Sequence, residues 1–414
     1  MTSPGRTASS GLLAWWRQGT PEGRRALVAA SLGWMLDSFD VMLYALVLAA
    51  IMPELGMSKE TAGLLGSMTL LSAAAGGIAF GVIADRFGRT RALMASVLIY
   101  SIFTAACGLA QNAAQLAVFR VLLGIGMGGE WASGAALVSE TWADEHRGKA
   151  LGLMQSAWAI GYAAAALVTM LVLPRWGWRA VFLVGILPAF LTLWVRRKVE
   201  EPRLWRETSR RRGAFRAIFK GGLLRLTVPL TIMNAFTLFG WWGFNLWLPG
   251  YLSLPRASGG MGIPAATMSA FIIAMQVGMW FGYVTFGFVS DRVGRKKTYV
   301  AYTLTASVLI LVYISLRTPL PLLLLGPFVA FFATGYFSGF GAVTAEVYPT
   351  EIRASAQGFT YNMGRVTSAL APFAVGSLAQ SHGFQAALSL TSAAFALAAI
   401  TWIWIPETRG RALV

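Results

Sequence analysis

The sequence predicts an all-α integral membrane protein, with twelve transmembrane helices in two pseudo-symmetric six-helix bundles. Composition is the first ground: of 414 residues, 56% are hydrophobic and only 12% charged, where a soluble domain carries about 25% charge. The second is length, since apolar stretches of about 20 residues, enough to cross a bilayer, recur along the whole chain. The third is repetition: motifs of the first half return in the second at one fixed offset. The 45 Gly and 16 Trp suit such a protein, because Gly lets membrane helices approach closely and Trp favours the membrane interface. The same composition excludes disorder, coiled coil and a soluble multi-domain chain. The single cysteine, Cys107, excludes a disulfide framework and a cysteine-based metal site. The two histidines, His146 and His382, fall in predicted loops, so neither a metal nor a cofactor is expected.

The spans follow in order. The first, 26–52, ends at Pro53-Glu54; the second, 60–84, at Asp85-Arg86; the third, 92–110, at Gln111-Asn112. The fourth and fifth, 114–141 and 149–173, are parted by a charged loop, and Pro174-Arg175 closes the fifth. The sixth, 178–196, runs into a basic stretch holding Arg210-Arg211-Arg212. The second half contributes 224–252, 264–289, 298–316, 319–345, 354–380 and 383–405, with Pro319 and His382-Gly383 as breaks. The expected organisation is a tail over 1–25, a bundle over 26–196, a linker over 197–223, a bundle over 224–405 and a tail over 406–414. The linker reads as a solvated segment lying on anionic lipid headgroups. No cleavable signal is expected, because the first 25 residues are polar and the apolar stretch behind them is too long for a signal core.

An even span number puts both termini on one side. That side carries 27 of the 34 Lys and Arg residues, and the opposite side five: Lys59, Arg175, Arg179, Arg256 and Arg317. The excess of cations marks the cytoplasm, so both termini are expected there, in a plasma membrane of the bacterial inner-membrane kind. The net charge of +17 thereby orients the protein, and no nucleic-acid partner is expected.

Gly81-Val-Ile-Ala-Asp85-Arg86-Phe-Gly88-Arg89 matches Gly287-Phe-Val-Ser-Asp291-Arg292-Val-Gly294-Arg295, 206 residues later. Glu140 through Arg147 to Gly152 matches Glu346 through Arg353 to Gly358 at the same offset. Two motif pairs at one spacing imply a duplicated bundle. Equal orientation of the copies implies a pseudo-two-fold axis along the membrane normal, with a site between the halves near the midplane.

These paired Gly-x-x-x-Asp-Arg-x-Gly-Arg motifs resemble the major facilitator superfamily over essentially the whole chain. Asp37-Ser-Phe-Asp40, Arg120-x3-Gly124-x-Gly126-x-Gly128-Gly129-Glu130-Trp131 and Glu346-Val-Tyr-Pro349-Thr-Glu-Ile-Arg353 resemble its metabolite/proton symporter branch. Gln357-Gly-Phe-Thr-Tyr-Asn362-Met-Gly-Arg365 is similar to sialate and monocarboxylate porters. The resemblance implies that a span 1 aspartate pairs with Arg120 and that an acid at the position of Glu130 is protonated during the cycle. It also implies that Asp85 and Asp291 face the N-termini of spans 11 and 5, latching the cytoplasmic side with Arg86, Arg89, Glu140, Arg147, Arg292, Arg295, Glu346 and Arg353.

Five charges remain inside spans once loop and helix-end charges are removed: Asp37, Asp40, Arg120, Glu130 and Arg365. A charge in a span is costly and marks a functional site by default. Asp37, Asp40 and Tyr44 share one face of span 1. Glu130 lies about 24 Å and Asp40 about 20 Å below the outer ends of their spans, and Arg120 only about 9 Å. A carboxylate in a low-dielectric cavity keeps its proton to higher pH, and a nearby arginine reverses this, so their relative movement can load and unload protons. The competing reading is a static ion-pair lock. Asp37 can also sit at the cytoplasmic mouth. Arg365 lies about 18 Å into span 11 with no acid of its own half at that depth. It calls for a carboxylate, supplied either by substrate or by Asp40 or Glu130 across the cavity. Asn234, Trp241 and Asn245 share a face of span 7, and Gln155, Trp158 and Tyr162 a face of span 5. With Gln276, Tyr336 and Asn362 they are the expected polar and aromatic lining. The Gly124-Ile-Gly-Met-Gly128-Gly129 run mimics a dinucleotide loop, but it sits inside a span and reads as helix packing. The expected function is proton-coupled uptake of a small organic anion, a monocarboxylate such as lactate or pyruvate, by alternating access, in a monomeric non-enzyme. A symporter of a neutral sugar or polyol and a drug/proton antiporter are the alternatives.

Overall fold

A computed structural model describes residues 14–142, 144–200, 219, 221–348 and 353–409; the side chains of Asp85, Arg147 and Arg353 lie outside that description. Among the described residues every regular element is helical. A short helix, Ala14–Gln18, precedes span 1 (Pro21–Glu54). Span 1 starts behind Thr20, whose hydroxyl accepts from the Gly23 amide at 3.0 Å. Ser58 and Asn112 cap span 2 (Lys59–Phe87) and span 4 (Ala113–Thr141) likewise. In each case a side-chain oxygen satisfies an amide that a helix start leaves open. Span 3 is Arg89–Cys107. Spans 5 and 6 are two arms of Asp144–Val184, broken at Gly177 (φ 73°) and continued by Ala189–Lys198.

In the second half, span 7 is Gly221–Ser253, span 8 Ala265–Val293 and span 9 Arg295–Ser315. Span 10 is Pro319–Thr334 followed by Phe337–Val347. Spans 11 and 12 are drawn from Arg353–Ser368 and Ala371–Thr401, the latter broken at Gly383 (φ 81°). Several helices run past the predicted spans, because helical hydrogen bonding continues beyond the apolar stretch that sequence hydropathy detects.

The repeat is visible in the backbone. Gly88 and Gly294, 206 residues apart, have φ of 112° and 116°, and Gly177 and Gly383 stand at the same offset. Only glycine enters this region cheaply. Arg89 bonds Glu140 and Arg295 bonds Glu346, each at 3.0 Å. Twelve spans thus form two like-built bundles. Within each, glycines set the closest crossings. A methyl group on Gly128 would lie 1.9 Å from the Ala73 carbonyl, where span 4 crosses span 2, and one on Gly278 2.0 Å from the Pro327 carbonyl, where span 8 crosses span 10. The glycine run of span 4 is therefore a packing surface.

Even span number sets the two ends of the described chain on one side, the terminal face. At the opposite face the bundles are tied together. Lys59 Nζ donates to the Ser258 carbonyl at 2.7 Å and the Ala379 carbonyl at 3.3 Å. The Phe373 amide donates to Ser67 Oγ at 3.0 Å, and Tyr162 donates to the Asn245 carbonyl at 3.3 Å. Gly63 packs against the Pro372 carbonyl with no room for a side chain. This conformation is closed at the opposite face.

Candidate substrate and proton site

Asp37, Asp40 and Trp34 stand on successive turns of span 1, and Glu130 faces them from span 4. Each of the three acids is at most 1% exposed, as is Arg120, and Arg365 is 3% exposed. The burial of Asp37 excludes a place at the mouth. Among the described residues no ion pair joins any of the five: the pairs present are Arg89–Glu140, Arg179–Glu54, Arg295–Asp291 and Arg295–Glu346. Both carboxylate oxygens of Asp40 and of Glu130, and one of Asp37, lack a hydrogen-bond partner.

The anticipated Asp40–Arg120 pair is not formed. Arg120 lies instead over the Tyr44 ring, 4.1 Å from its centroid, and beside Cys107. The depth difference between the two side chains keeps them apart. Arg365 is the cation whose field reaches both Asp37 and Glu130. Thr104 stands beside Asp40. Tyr100 of span 3 stands amid all three acids and donates a long bond, 3.4 Å, to the Gly33 carbonyl. Gly33 makes room for Glu130, since a methyl group there would lie 2.5 Å from Glu130 Oε1.

Between the bundles lies a cavity of about 20 Å³, room for about one water molecule. Trp34, Gln155 and Trp158 of the first bundle line it. From the second come Leu238, Trp241, Trp242, Tyr283, Phe337, Tyr361 and Arg365, the sole charged lining residue among the described residues. The rings interlock: Trp34–Trp158 centroids are 4.6 Å apart, Trp158–Trp241 5.6 Å and Trp241–Trp242 4.9 Å.

The structure brings Gln155, Trp158, Trp241 and Arg365 of the expected lining to this cavity. It ties others into the scaffold. Tyr44 donates to the Ala62 carbonyl at 2.9 Å and Tyr336 to the Thr237 carbonyl at 3.3 Å. Tyr162 is spent on the Asn245 carbonyl, and Asn245 itself donates to the Trp241 carbonyl at 3.0 Å. Asn234 and Gln276 are buried outside the cavity, each with an unpaired amide oxygen. Asn362 approaches Gly77 of span 2. Sequence reasoning missed Trp34, Trp242, Tyr283, Phe337, Tyr361 and Tyr100. Two had a signal: Trp34 precedes Asp37 by one turn, and Tyr361 precedes Arg365 by one turn.

A model of the family described as Major Facilitator Superfamily matches residues 30–283 and 253–413. The chain belongs to that superfamily. It is a multi-pass membrane transporter of small metabolites and not an enzyme. It is 32% identical to a protein of Cupriavidus pinatubonensis named for 4-methylmuconolactone transport, over 97% of this chain and 95% of that one. It is 30% identical to the sialic acid transporter of Escherichia coli K12, over 92% and 94%. The solved D-xylose–proton symporter superposes with a TM-score of 0.75 at 21% identity, covering 94% of this chain and 99% of that one, a likeness of fold.

In this superfamily member the charged loops at the terminal face are built as two matching clusters. Arg89–Glu140 and Arg295–Glu346 are joined within their own bundles, and Asp291 is paired with Arg295 at 2.5 Å. With Asp291 63% exposed, the pair is engaged within its own bundle in this conformation. Asp85, Arg147 and Arg353 lie outside the described side chains, as does most of the basic linker.

Proposed function

We propose that this transporter carries a small organic anion together with protons, by alternating access, with both termini in the cytoplasm. The reading rests on one observation: among the described residues, Arg365 is the sole charged group on the cavity wall and has no ion-pair partner. A guanidinium matches a carboxylate with two parallel hydrogen bonds. The relatives named for 4-methylmuconolactone and sialic acid fit such a cargo.

Coupling follows from shared electrostatics. The positive field of Arg365 reaches Asp37 and Glu130 without an ion pair to either. A substrate carboxylate on Arg365 cancels that field and favours the neutral, proton-bearing forms of the two acids. Anion and proton then travel together. Asp40, in the same polar cluster, is the second candidate carrier. At the terminal face, opening and closing is assigned to Asp85, Arg86, Arg89, Glu140, Arg147, Asp291, Arg292, Arg295, Glu346 and Arg353.

The test is uptake and binding of a labelled panel of acids and sugars in proteoliposomes. Arg365→Ala removes one partner of a buried pair, which costs several kcal/mol, so acid affinity falls about a hundredfold or more. Arg365→Lys keeps part of it. Near-native acid binding by Arg365→Ala removes this reading and leaves the sugar symporter in front.

A further inference from the structure

The cavity is more elaborate than a carboxylate alone requires. Trp34, Trp158 and Trp241 are each 3–4% exposed, and the indole N–H of each is buried with no acceptor. A buried donor left unpaired is costly, so native structures rarely keep three around one space. The three belong to both bundles: Trp34 and Trp158 lie on spans 1 and 5, Trp241 on span 7. Trp158 meets Trp241 and Trp242 edge-on across the bundle interface, at 5.6 and 6.1 Å. Trp34 and Trp158 border the cavity from the first bundle, and Trp241, Trp242 and Arg365 border it from the second.

The polar lining is biased. Arg365 and the indoles only donate, and no carboxylate among the described residues lines the space. Gln155 supplies its single side-chain carbonyl, and Tyr283 and Tyr361 can donate or accept. A polyol's hydroxyl oxygens can accept from these donors, but its many O–H protons meet few acceptors here. Lactate and pyruvate, with three carbons, leave the aromatic faces and the indole donors unmatched. A flat unsaturated body covers ring faces with little loss of conformational freedom.

We propose that the site selects a planar unsaturated or aromatic carboxylate that bears a hydrogen-bond acceptor away from its carboxylate, read by the indole N–H groups of Trp34, Trp158 and Trp241. This rests on Arg365 being the carboxylate's partner. The arrangement makes substrate the group that completes the site, since it separates the interlocked indoles and satisfies their donors at once.

The experiment is competition binding on the full-length transporter in proteoliposomes. The probes are 4-acetylbenzoate, its isostere 4-isopropenylbenzoate, cyclohexanecarboxylate, lactate, pyruvate and xylose. Expected is an order in which 4-acetylbenzoate exceeds 4-isopropenylbenzoate by about tenfold, the value of one good hydrogen bond, with the saturated and three-carbon acids weaker still. Trp34→Phe, Trp158→Phe and Trp241→Phe keep an aromatic face and delete the donor. At least one should weaken 4-acetylbenzoate about tenfold and leave 4-isopropenylbenzoate unchanged. Equal competition by lactate, pyruvate or cyclohexanecarboxylate overturns the proposal, as does a loss in the Phe variants that is the same for both benzoates. Those outcomes leave Arg365 as an anion site. Competition by xylose with none by any acid removes the anion reading itself, and this proposal with it.

Discussion

Gly33 shows how narrowly the proton cluster is built. Its missing side chain is the space that Glu130 occupies, and its carbonyl is the acceptor of Tyr100. Gly33→Ala overpacks the site, at a cost of about 1–3 kcal/mol. Glu130 must then move, so pH-driven accumulation should fall more than substrate binding does; equal losses of both would mean that Gly33 serves packing alone. Glu130→Gln is the direct test of proton carriage. Uphill uptake driven by a pH gradient should be abolished while counterflow, which needs no net proton movement, persists. Uphill accumulation that survives in both Glu130→Gln and Asp40→Asn would remove these two residues from the coupling path. Arg120, stacked on Tyr44 with its three guanidinium nitrogens unpaired, has no such assignment in this conformation.

Among the elements, the crossing of spans 2 and 4 is set by backbone contact at Gly76, Gly124 and Gly128. Gly128→Ala should lower the thermal midpoint in detergent, because its methyl group has a carbonyl in place of free space at 1.9 Å. A midpoint equal to that of the parent would show that the helices separate without penalty. Span 9 has a different device at its start. Glu407 accepts from the Arg295 amide at 2.8 Å and the Lys296 amide at 3.1 Å, capping the helix from the C-terminal segment. Burial pushes the Glu407 carboxyl up, but the amides of Arg409, Arg295, Lys296 and Thr408 together outweigh it and hold it below the usual carboxylate range. A depressed acid stabilises the fold above its unfolded value, about 4.3, and loses that contribution as pH falls through the lower folded value. The midpoint gap between parent and Glu407→Gln should therefore be constant at neutral pH and shrink below about pH 4. A gap that does not change down to that range would assign the effect to packing.

At the scale of the whole molecule, the ties across the opposite face hold the two bundles closed. Lys59 is the cation among them: it reaches two carbonyls of the other bundle and lies 4.9 Å from the centre of the Phe384 ring. Carbonyl acceptors bind an ammonium without forming a full ion pair, so the contact can open and reform at modest cost. Lys59→Ala should shift the balance toward a state open on that face by about fivefold, the value of about 1 kcal/mol. The readout is the labelling rate of a single cysteine placed at the opposite mouth in a Cys107→Ala background. An unchanged rate would assign closure to the Gly63–Pro372 packing and the Phe373–Ser67 hydrogen bond instead.

The number and approximate placement of the spans were legible in the chain because each depends on local properties: apolar length, proline and glycine breaks, and a duplicated set of loop motifs. The five buried charges were legible for the same reason, since a charge inside an apolar run stands out whatever surrounds it. Their partners were not. Asp40 and Arg120 share adjacent spans and yet remain apart, and Arg365 faces acids more than two hundred residues away in sequence. Such pairings depend on how far each helix is rotated and how closely it approaches, which glycine contacts such as Gly128 on Ala73 decide. The same holds for the aromatic lining: helical spacing picked out Trp158 and Trp241, but Trp242, Tyr283 and Phe337 joined them only through packing of spans from both bundles. Which face is closed is likewise a property of the assembled bundles, because Lys59, Ser67 and Tyr162 find their acceptors only across the interface.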